Sequence, residues 1–334
     1  MGRRIGAHVI CTALKTSNHL NKNDMTKFAF AFPGQGSQSI GMLNGFADNE
    51  TVRQTVAEAS DVLQFDLGKL IADGPKEALD LTTNTQPVML TAAVAFYRAW
   101  IAAGGALPTV VAGHSLGEYS ALVAAGVIEF KDALPLVRFR AQAMQEAVPV
   151  GVGGMAVILG LSDDDVRAAC AEGAQGEVVE AVNFNTPAQV VIAGHNGAVE
   201  RACAAAKARG AKRAQALAVS APFHSSLLKP ASERLQTYLA GVKFSTPRIA
   251  LINNVDVTVF DDVDSIKDAL VRQAACPVRW VETVQRMAQI GVTHLIECGP
   301  GKALAGMTKR INSELIGDYI VDQASLDKVL ELLK

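Results

Sequence analysis

The sequence of 334 residues lacks three features that would each indicate a class of protein. First, no apolar run approaches the ~20 residues that cross a bilayer, so we expect no membrane-spanning segment. Second, the chain has no basic excess, because 31 Lys and Arg face 33 Asp and Glu for a formal net charge of −2. A nucleic-acid-binding role is therefore not expected.

The third missing feature is a cysteine pattern. The cysteines are scattered without a Cys-x-x-Cys pair, at Cys11, Cys170, Cys203, Cys276 and Cys298. This spacing predicts neither a disulfide framework nor a zinc site, and it favours the reducing environment of the cytoplasm. The chain has instead 49% hydrophobic and 19% charged residues, which indicates a sizeable core in one large α/β domain, with or without a smaller insert.

The first 24 residues differ from the rest of the chain. Arg3 and Arg4 precede an apolar stretch at 5–14, as in a signal peptide, but His8 interrupts that stretch and no small-residue cleavage site follows. Met25 then precedes a strand-like run. We interpret residues 1–24 as a vector-derived or misassigned leader, with a transit peptide as the alternative.

The most informative segment runs from residue 110 to residue 125. An apolar strand pattern at 110–112 leads into Gly113-His-Ser115-Leu-Gly117, and a helical pattern follows. This order is typical of a nucleophile elbow, in which glycines allow a cramped turn that exposes the serine. The Leu116 N–H and the positive end of the helix then face a developing oxyanion. The segment predicts an enzyme that acylates Ser115.

Alternating strands and helices around this turn predict a parallel sheet covered on both faces. Strands are expected at 28–32, 110–112, 248–253 and 293–297, and helices at 50–65, 87–103, 131–147, 226–240, 264–275 and 280–290. Pro87 fits the first turn of its helix. A second glycine-rich turn, 298–302, lacks the spacing of a phosphate loop, so we expect no nucleotide site there.

The middle of the chain has a different order of elements. Strand patterns occur at 155–161, 178–184, 189–193 and 213–219, with helices at 163–173 and 196–210. Asn196 is the expected cap of the second helix. This β-α-β-β-α-β order is typical of a ferredoxin-like domain. We therefore predict a small ferredoxin-like domain, residues 148–222, inserted into a large α/β-hydrolase-like domain formed by residues 25–147 and 223–334.

A nucleophilic serine requires a base, and histidine is the usual one near neutral pH. Of the six histidines, His224 lies in a loop at the joint between the two predicted domains, where ligand clefts are common. It is the favoured base. The other five have structural interpretations. His8 and His19 belong to the leader and His114 packs beneath the turn, whereas His195 is a helix cap and His294 a strand residue.

No carboxylate is evident as the third member of a triad. Asp256 is a candidate because it ends the stretch 251–255. However, α/β-hydrolases place the acid before the histidine, and Asp256 follows His224. Two alternatives stay open: a neutral acceptor orients His224, or the site is not an α/β-hydrolase triad.

Five separated motifs occur in a fixed order along the chain. They are Phe32-Pro-Gly-Gln-Gly-Ser-Gln38, Gly113-His-Ser-Leu-Gly-Glu-Tyr-Ser-Ala121, Pro222-Phe-His-Ser225, Asn254-Val-Asp256 and Gly299-Pro-Gly-Lys302. In this combination the chain resembles the malonyl-CoA:acyl carrier protein transacylases of bacterial type II fatty acid synthesis. The resemblance extends from about Met25 to near the C-terminus, and only residues 1–24 lie outside it.

The resemblance implies a ping-pong acyl transfer. Ser115 attacks the thioester of malonyl-CoA, and the malonyl-serine is then passed to the phosphopantetheine thiol of holo acyl carrier protein. His224 serves as the base and later as the acid, and the main-chain carbonyl of Gln273 orients it. By the same resemblance, the main-chain N–H groups of Leu116 and Gln35 form the oxyanion hole.

The resemblance also assigns Arg140 to the malonyl carboxylate. A planar guanidinium can pair bidentately with a carboxylate, which suits this role. The residues alone do not distinguish Arg140 from Arg138, since either is otherwise a solvated helix arginine. Phe223 resembles the pattern of malonyl-selective members. We expect no metal, no cofactor apart from the coenzyme A thioester that is the substrate, and a monomer.

Two functions of other classes stay open. A serine esterase or thioesterase shares the elbow but releases a free acid to water. A non-catalytic module that docks a carrier protein forms no acyl-enzyme, and the joint presence of Ser115, His224 and Gln35 argues against it.

Overall fold

The computed structural model describes residues 26–219 and 221–334, so the predicted leader and Ser220 lie outside the described residues. The strands are β1 (Phe28–Phe32), β2 (Val110–Gly113), β3 (Gly153–Leu159), β4 (Val179–Thr186), β5 (Gln189–His195), β6 (Arg213–Ala216), β7 (Ala250–Leu251), β8 (His294–Cys298) and β9 (Ile316–Ile320). The helices are α1 (Glu50–Leu63), α2 (Leu67–Asp73), α3 (Lys76–Leu79), α4 (Thr82–Ala102), α5 (Gly117–Ala124), α6 (Phe130–Glu146), α7 (Asp163–Ala174), α8 (Asn196–Ala208), α9 (Lys229–Ala240), α10 (Val263–Gln273), α11 (Trp280–Gln289), α12 (Ala303–Ile311) and α13 (Gln323–Leu332). Short 3-10 turns cover Asn44–Phe46 and Ser226–Leu228.

Five strands form a parallel sheet in the order β7-β2-β1-β8-β9. The inner strands of such a sheet are covered on both faces, and β1 and β2 are buried at every residue. Because side chains alternate along a strand, the phenylalanines of β1 pack into the cluster with α4, α5 and α6, whereas its alanines face the cluster that contains Trp280. The predicted parallel sheet is confirmed.

The carboxyl ends of β1 and β2 bring two loops together. Phe32 pairs with Gly113, so the loop after β1 and the turn after β2 leave the sheet side by side. A Cβ on Gly117 would lie 2.0 Å from the Phe32 carbonyl oxygen, and a Cβ on Gly34 would lie 2.5 Å from the His114 carbonyl oxygen. Only glycine fits at these two contacts, which hold both loops at one edge of the sheet.

The remaining four strands form a separate antiparallel sheet in the order β4-β5-β3-β6. Together with α7 and α8, these strands enclose a core of their own that includes Ile158 and Val190. The second sheet is tied to the rest of the chain, because the Phe184 N–H donates to the Val278 carbonyl at 3.0 Å and the Val278 N–H donates to the Val182 carbonyl at 2.8 Å. The protein is thus mixed α/β, with one parallel and one antiparallel sheet.

Two predicted strands are shorter in the structure. The strand expected at 248–253 is only Ala250–Leu251, because the chain leaves the sheet at Asn253, whose Oδ1 accepts the N–H groups of Val255 and Asp256 at 3.1 and 2.7 Å. The strand expected at 213–219 ends at Ala216. A local side-chain turn can end a strand without altering its apolar pattern, so the sequence overestimates the length of β7.

Two helix starts also differ from the predictions. Pro87 is not in the first turn of its helix, since α4 begins at Thr82. Proline removes only one N–H bond near that end, which a buried helix of 21 residues tolerates. Asn196 does not cap α8, because His195 holds the N-cap position and Asn196 Nδ2 donates to the Gly151 carbonyl at 2.7 Å. The sequence predictions also lack α2, α3, β9 and α13.

Candidate active site

Ser115 lies in the sharp turn between β2 and α5. Its φ is +53°, a left-handed conformation that non-glycine residues rarely adopt. Asn254 holds the turn from two sides, because its Oδ1 accepts the Ser115 N–H at 2.7 Å and its Nδ2 donates to the Gly113 carbonyl at 2.6 Å. The Ser115 side chain lines a cavity of about 490 Å³. This geometry fits an elbow that presents a serine to a ligand.

His224 contacts the Ser115 hydroxyl directly. Its Nε2 is 2.6 Å from Ser115 Oγ, and its Nδ1 is 2.9 Å from the main-chain oxygen of Gln273. Since a carbonyl oxygen only accepts, Nδ1 carries the proton and Nε2 is free to accept the hydroxyl proton. Burial and the nearby charge of Arg140 lower the pKa of His224 to about 3. The imidazole is therefore neutral near pH 7 and oriented to act as a base.

Asp256 does not reach this pair. Its carboxylate accepts from Arg272 Nη1 and Nη2 at 3.0 and 2.7 Å, and this pairing lowers the pKa of Asp256. The group at His224 Nδ1 is the main-chain carbonyl of Gln273 instead. Asp256 is thus wrong as a triad acid, and the geometry favours the neutral acceptor that the sequence left open.

The other described histidines make structural contacts. His114 Nε2 is 2.8 Å from Asn185 Oδ1. His195 Nδ1 accepts a main-chain N–H at 3.0 Å, and His294 Nδ1 is 2.9 Å from a threonine hydroxyl. His294 opens β8, at the end of the sheet opposite to the elbow. His8 and His19 lie outside the described residues.

Two main-chain donors flank the serine. Leu116 follows Ser115 at the N-cap position of α5, where the helix dipole is positive, and Gln35 lines the same cavity from the loop after β1. Within residues 26–219 and 221–334, neither of their main-chain N–H groups donates to another group of the protein. Such free donors beside a nucleophile can stabilise an oxyanion.

Arg140 lies beside the nucleophile and not on the surface. It is 1% exposed, and its Nη2 is 3.2 Å from Ser115 Oγ. The guanidinium also donates to the amide oxygens of Gln86 and Gln273, at 2.9 Å each, and it lies over the Tyr119 ring. Both amide acceptors are neutral, so no carboxylate of the described residues is in direct contact to cancel the charge. A cation held in this way can pair with a carboxylate on a bound ligand.

Arg138 differs from Arg140 although it is only two residues away. It is exposed, and its Nη1 donates to the Leu63 carbonyl at 3.3 Å. Residues two apart on a helix point about 200° apart, so one arginine faces the cavity and the other faces solvent.

A buried polar network lies beneath the elbow. Glu118 Oε2 accepts from Gln273 Nε2 at 2.8 Å and from the Asn254 N–H at 3.1 Å, and Gln273 Nε2 also donates to the Ser115 carbonyl at 2.9 Å. Burial raises the pKa of Glu118 to about 7. The sequence predictions assigned no role to Gln86, Glu118 or Asn254. Signals existed for two of them, because Glu118 is the one charged residue of α5 and both Glu118 and Asn254 lie in the family motifs.

The antiparallel sheet supplies the facing wall of the cavity. Met155, Asn183, Asn185 and Val191 line it from that side, and Phe223 lies next to His224. In the described residues, no group of three or more His, Cys, Asp or Glu side chains is placed to hold a metal ion. No helix described here has both the length and the apolar character needed to cross a membrane.

Comparison with known proteins identifies the class of this fold and site. A family model described as the acyl transferase domain matches residues 29–326. The malonyl CoA-acyl carrier protein transacylase of Escherichia coli K12 is 54% identical over 309 residues, which cover 92% of this chain and 100% of that protein. The chain is an acyltransferase enzyme.

Solved structures agree with this class. An acyl-carrier-protein S-malonyltransferase from Burkholderia pseudomallei is 70% identical with a TM-score of 0.91, covering 92% of this chain and 100% of that one. A malonyl-transacylase solved in complex with its type II PKS acyl-carrier protein is 52% identical with a TM-score of 0.91, over 92% of this chain and 100% of that one. This chain belongs to the family of malonyl CoA-acyl carrier protein transacylases.

Proposed function

We propose that the chain transfers the malonyl group of malonyl-CoA to the phosphopantetheine thiol of holo acyl carrier protein, and thereby supplies fatty acid synthesis. The reaction is ping-pong and passes through a malonyl ester of Ser115. One observation carries the proposal: Ser115 Oγ lies 2.6 Å from His224 Nε2 and 3.2 Å from Nη2 of the buried Arg140 guanidinium. The base and the carboxylate-binding group thus both contact the nucleophilic oxygen.

In the first half-reaction, His224 Nε2 accepts the Ser115 hydroxyl proton as Oγ bonds to the thioester carbon. The carbonyl oxygen becomes an oxyanion, which the Leu116 and Gln35 N–H groups stabilise. When the carbon–sulfur bond breaks, His224 returns its proton to the departing thiolate of coenzyme A. In the second half-reaction, the carrier thiol gives its proton to His224, its sulfur attacks the ester, and Ser115 Oγ leaves with that proton.

Arg140 provides selection for malonyl. In a malonyl group a single CH₂ separates the carboxylate from the reacting carbonyl, so a cation that binds it must lie close to the nucleophile. Arg140 meets this requirement, because its Nη2 contacts Ser115 Oγ itself. A guanidinium buried without a carboxylate partner favours an acyl group that brings its own negative charge.

A serine thioesterase is the alternative that shares this chemistry up to the acyl-enzyme. The two reactions separate when the protein is incubated with malonyl-CoA and holo acyl carrier protein, and both malonyl carrier protein and free malonate are measured. We expect malonyl carrier protein to be the main product. Free malonate as the main product, with the carrier protein left unloaded, would contradict the transferase proposal.

We also propose the domain organisation expected from the sequence, with a ferredoxin-like domain at 148–222 inserted into an α/β-hydrolase-like domain at 25–147 and 223–334. The chain order β-α-β-β-α-β and the separate core of the antiparallel sheet support it. Limited proteolysis should cleave first near the two joints, and early cleavage inside either domain would contradict these boundaries. A reducing compartment such as the cytoplasm fits the four described cysteines, whose thiols are all free.

A further inference from the structure

The proposed reaction gives no role to the buried carboxyl group of Glu118. Glu118 is 2% exposed in α5, whose other side chains are apolar or small. Burying a carboxyl group costs free energy unless hydrogen bonds compensate, and Glu118 Oε2 has two donors, Gln273 Nε2 and the Asn254 N–H. It makes no hydrogen bond to Ser115 Oγ or to the His224 ring. Its hydrogen-bonded route to the reaction therefore passes through these two neighbours, and its charge also interacts with that of Arg140 at longer range.

The contacts of Gln273 select one of the two orientations of its side-chain amide. Its Nε2 faces two acceptors, Glu118 Oε2 at 2.8 Å and the Ser115 carbonyl at 2.9 Å, while its Oε1 accepts from Arg140 Nη2 at 2.9 Å. A flipped amide would set its oxygen against both acceptors and its NH₂ group against the guanidinium. Glu118, together with the Ser115 carbonyl, therefore holds the Gln273 oxygen toward Arg140.

This arrangement aims Arg140 without neutralising it. The amide oxygens of Gln273 and Gln86 fix the guanidinium so that Nη2 reaches Ser115 Oγ. A carboxylate in the place of either amide would pair with the arginine and compete with the carboxylate of a ligand. The Gln273 amide lies between Glu118 and Arg140. Glu118 can therefore orient that amide without pairing with Arg140, whose charge stays available to the carboxylate of a ligand.

We propose that Glu118 is a positioning residue for acyl-group selection: it fixes the Gln273 amide and thereby aims the Arg140 guanidinium at the acyl group on Ser115. This inference rests on the proposed malonyl transfer. It predicts that the acceptor oxygen of residue 118, and not its charge, sets the preference for malonyl over acetyl.

The test compares Glu118→Met with Glu118→Gln. Met fills the same space without an acceptor, whereas Gln keeps an oxygen that can accept from Gln273 and Asn254. The rates of malonyl and acetyl loading from the two coenzyme A thioesters are measured by intact mass in rapid-quench samples. We expect the malonyl-to-acetyl ratio to fall by about 10- to 100-fold in Glu118→Met, as for loss of a hydrogen bond to a charged group, and to stay near or above the wild-type ratio in Glu118→Gln.

Two results would overturn the inference. If Glu118→Met lowers malonyl and acetyl loading by the same factor, Glu118 only supports the elbow. If Glu118→Gln loses the preference as fully as Glu118→Met, the charge and not the orientation matters. In a Gln273→Met background, the further change Glu118→Met should leave the ratio unchanged, because residue 118 acts on the ratio through that amide.

The experiment also separates this inference from the proposed function. Wild-type protein that loads acetyl as fast as malonyl would remove the proposed malonyl selectivity itself. Wild-type selectivity that survives in Glu118→Met would remove only the role of Glu118. Circular dichroism checks the fold, and if Glu118→Met does not fold, Glu118→Asp replaces it, because the shorter side chain withdraws the acceptor and must lower the ratio. An Asp variant with full wild-type preference overturns the inference.

Discussion

Two strand–turn–helix units lie in the same parallel sheet and differ in what occupies the start of the helix. In the first unit, β2 leads through Ser115 into α5, and the turn opens on the cavity. In the second unit, β8 leads through Gly299 and Gly301 into α12, and the Glu297 carboxylate accepts the Ala305 N–H at 2.8 Å. We name the first the open unit and the second the closed unit. Only β1 separates them in the sheet.

The difference shows why a glycine-rich turn after a strand does not by itself make a site. The start of α12 is already occupied by a carboxylate from its own strand, so its N–H groups are not available to an outside anion. At the elbow, the Leu116 N–H has no such partner in the described residues. The sequence spacing had argued against a nucleotide at 298–302, and Glu297 adds an independent physical reason.

The largest effect on the open unit is expected from His224→Ala. Loss of the base should slow malonyl loading of Ser115 by ~10²–10⁴-fold, the usual contribution of general base catalysis. Loading rates by intact mass in rapid-quench samples provide the measurement. His294→Ala, on the strand of the closed unit, is the matched control and should change little. Normal loading by His224→Ala would mean that another group is the base.

Arg140→Ala should reverse the substrate preference. A bound malonyl carboxylate left without its partner costs roughly 2–5 kcal/mol, or about 30- to several-thousand-fold in malonyl transfer. Acetyl transfer should hold steady or rise, because the wild type leaves the arginine unpaired when acetyl is bound. Steady-state transfer from both thioesters measures the two effects.

Arg138→Ala is the control for this reversal. Arg138 is exposed on the opposite side of α6, so its loss should leave both transfer rates nearly unchanged. If Arg140→Ala instead depresses malonyl and acetyl transfer by the same factor, Arg140 is structural and the selectivity argument is wrong.

A smaller effect concerns the pH dependence of the base. Burial is the main cause that lowers the pKa of His224 to about 3, and the charge of Arg140 is the second. Removing that charge in Arg140→Gln should raise the pKa, so the neutral base is lost at a higher pH as the solution is acidified. We expect the acid limb of acetyl loading to move to higher pH in the variant. An acid limb that stays at the same pH or moves to lower pH would contradict the electrostatic coupling of the two residues.

The smallest effect on activity is expected at the closed unit. Glu297→Ala removes the acceptor at the start of α12 and should lower the free energy of unfolding by about 1–2 kcal/mol, as for loss of a helix cap. Malonyl loading should stay within about twofold of the wild-type rate, because Glu297 lies outside the proposed site. Denaturant unfolding and loading rates provide the two readouts, with Glu297→Gln as the variant that keeps an acceptor. A collapse of loading in a folded Glu297→Ala protein would show that the two units are not separate.

The parts of the site that the sequence predicted are those encoded over a few residues. The elbow needs Gly113, Ser115 and Gly117 in one short segment. His224 was favoured by its place at the predicted domain joint, and the family resemblance implied the Gln273 carbonyl. The parts that the sequence missed depend on distant segments. Gln86 lies in α4, Glu118 in α5 and Asn254 in the turn after β7, and only the folded chain brings them to Arg140 and the elbow.

Arg140 lies between these cases. The residues alone did not distinguish it from Arg138. Yet Arg140 follows the buried residues Leu136 and Val137 of α6 by four and three positions, which places it on the same face of the helix. A basic residue on the apolar face of a helix was therefore a readable signal. The short strand β7 was less readable, because the turn at Asn253 that ends it leaves the apolar pattern intact.

In the proposed reaction, Ser115 carries the malonyl group from the thiol of coenzyme A to the thiol of the carrier protein. This role is tested by intact mass spectrometry of the wild type and Ser115→Ala after mixing with malonyl-CoA in the absence of carrier protein. We predict one malonyl adduct on the wild type, located on Ser115 by peptide mapping, and none on Ser115→Ala. A malonyl adduct retained by Ser115→Ala, or a wild type that transfers malonyl without ever forming one, would show that Ser115 does not carry the malonyl group.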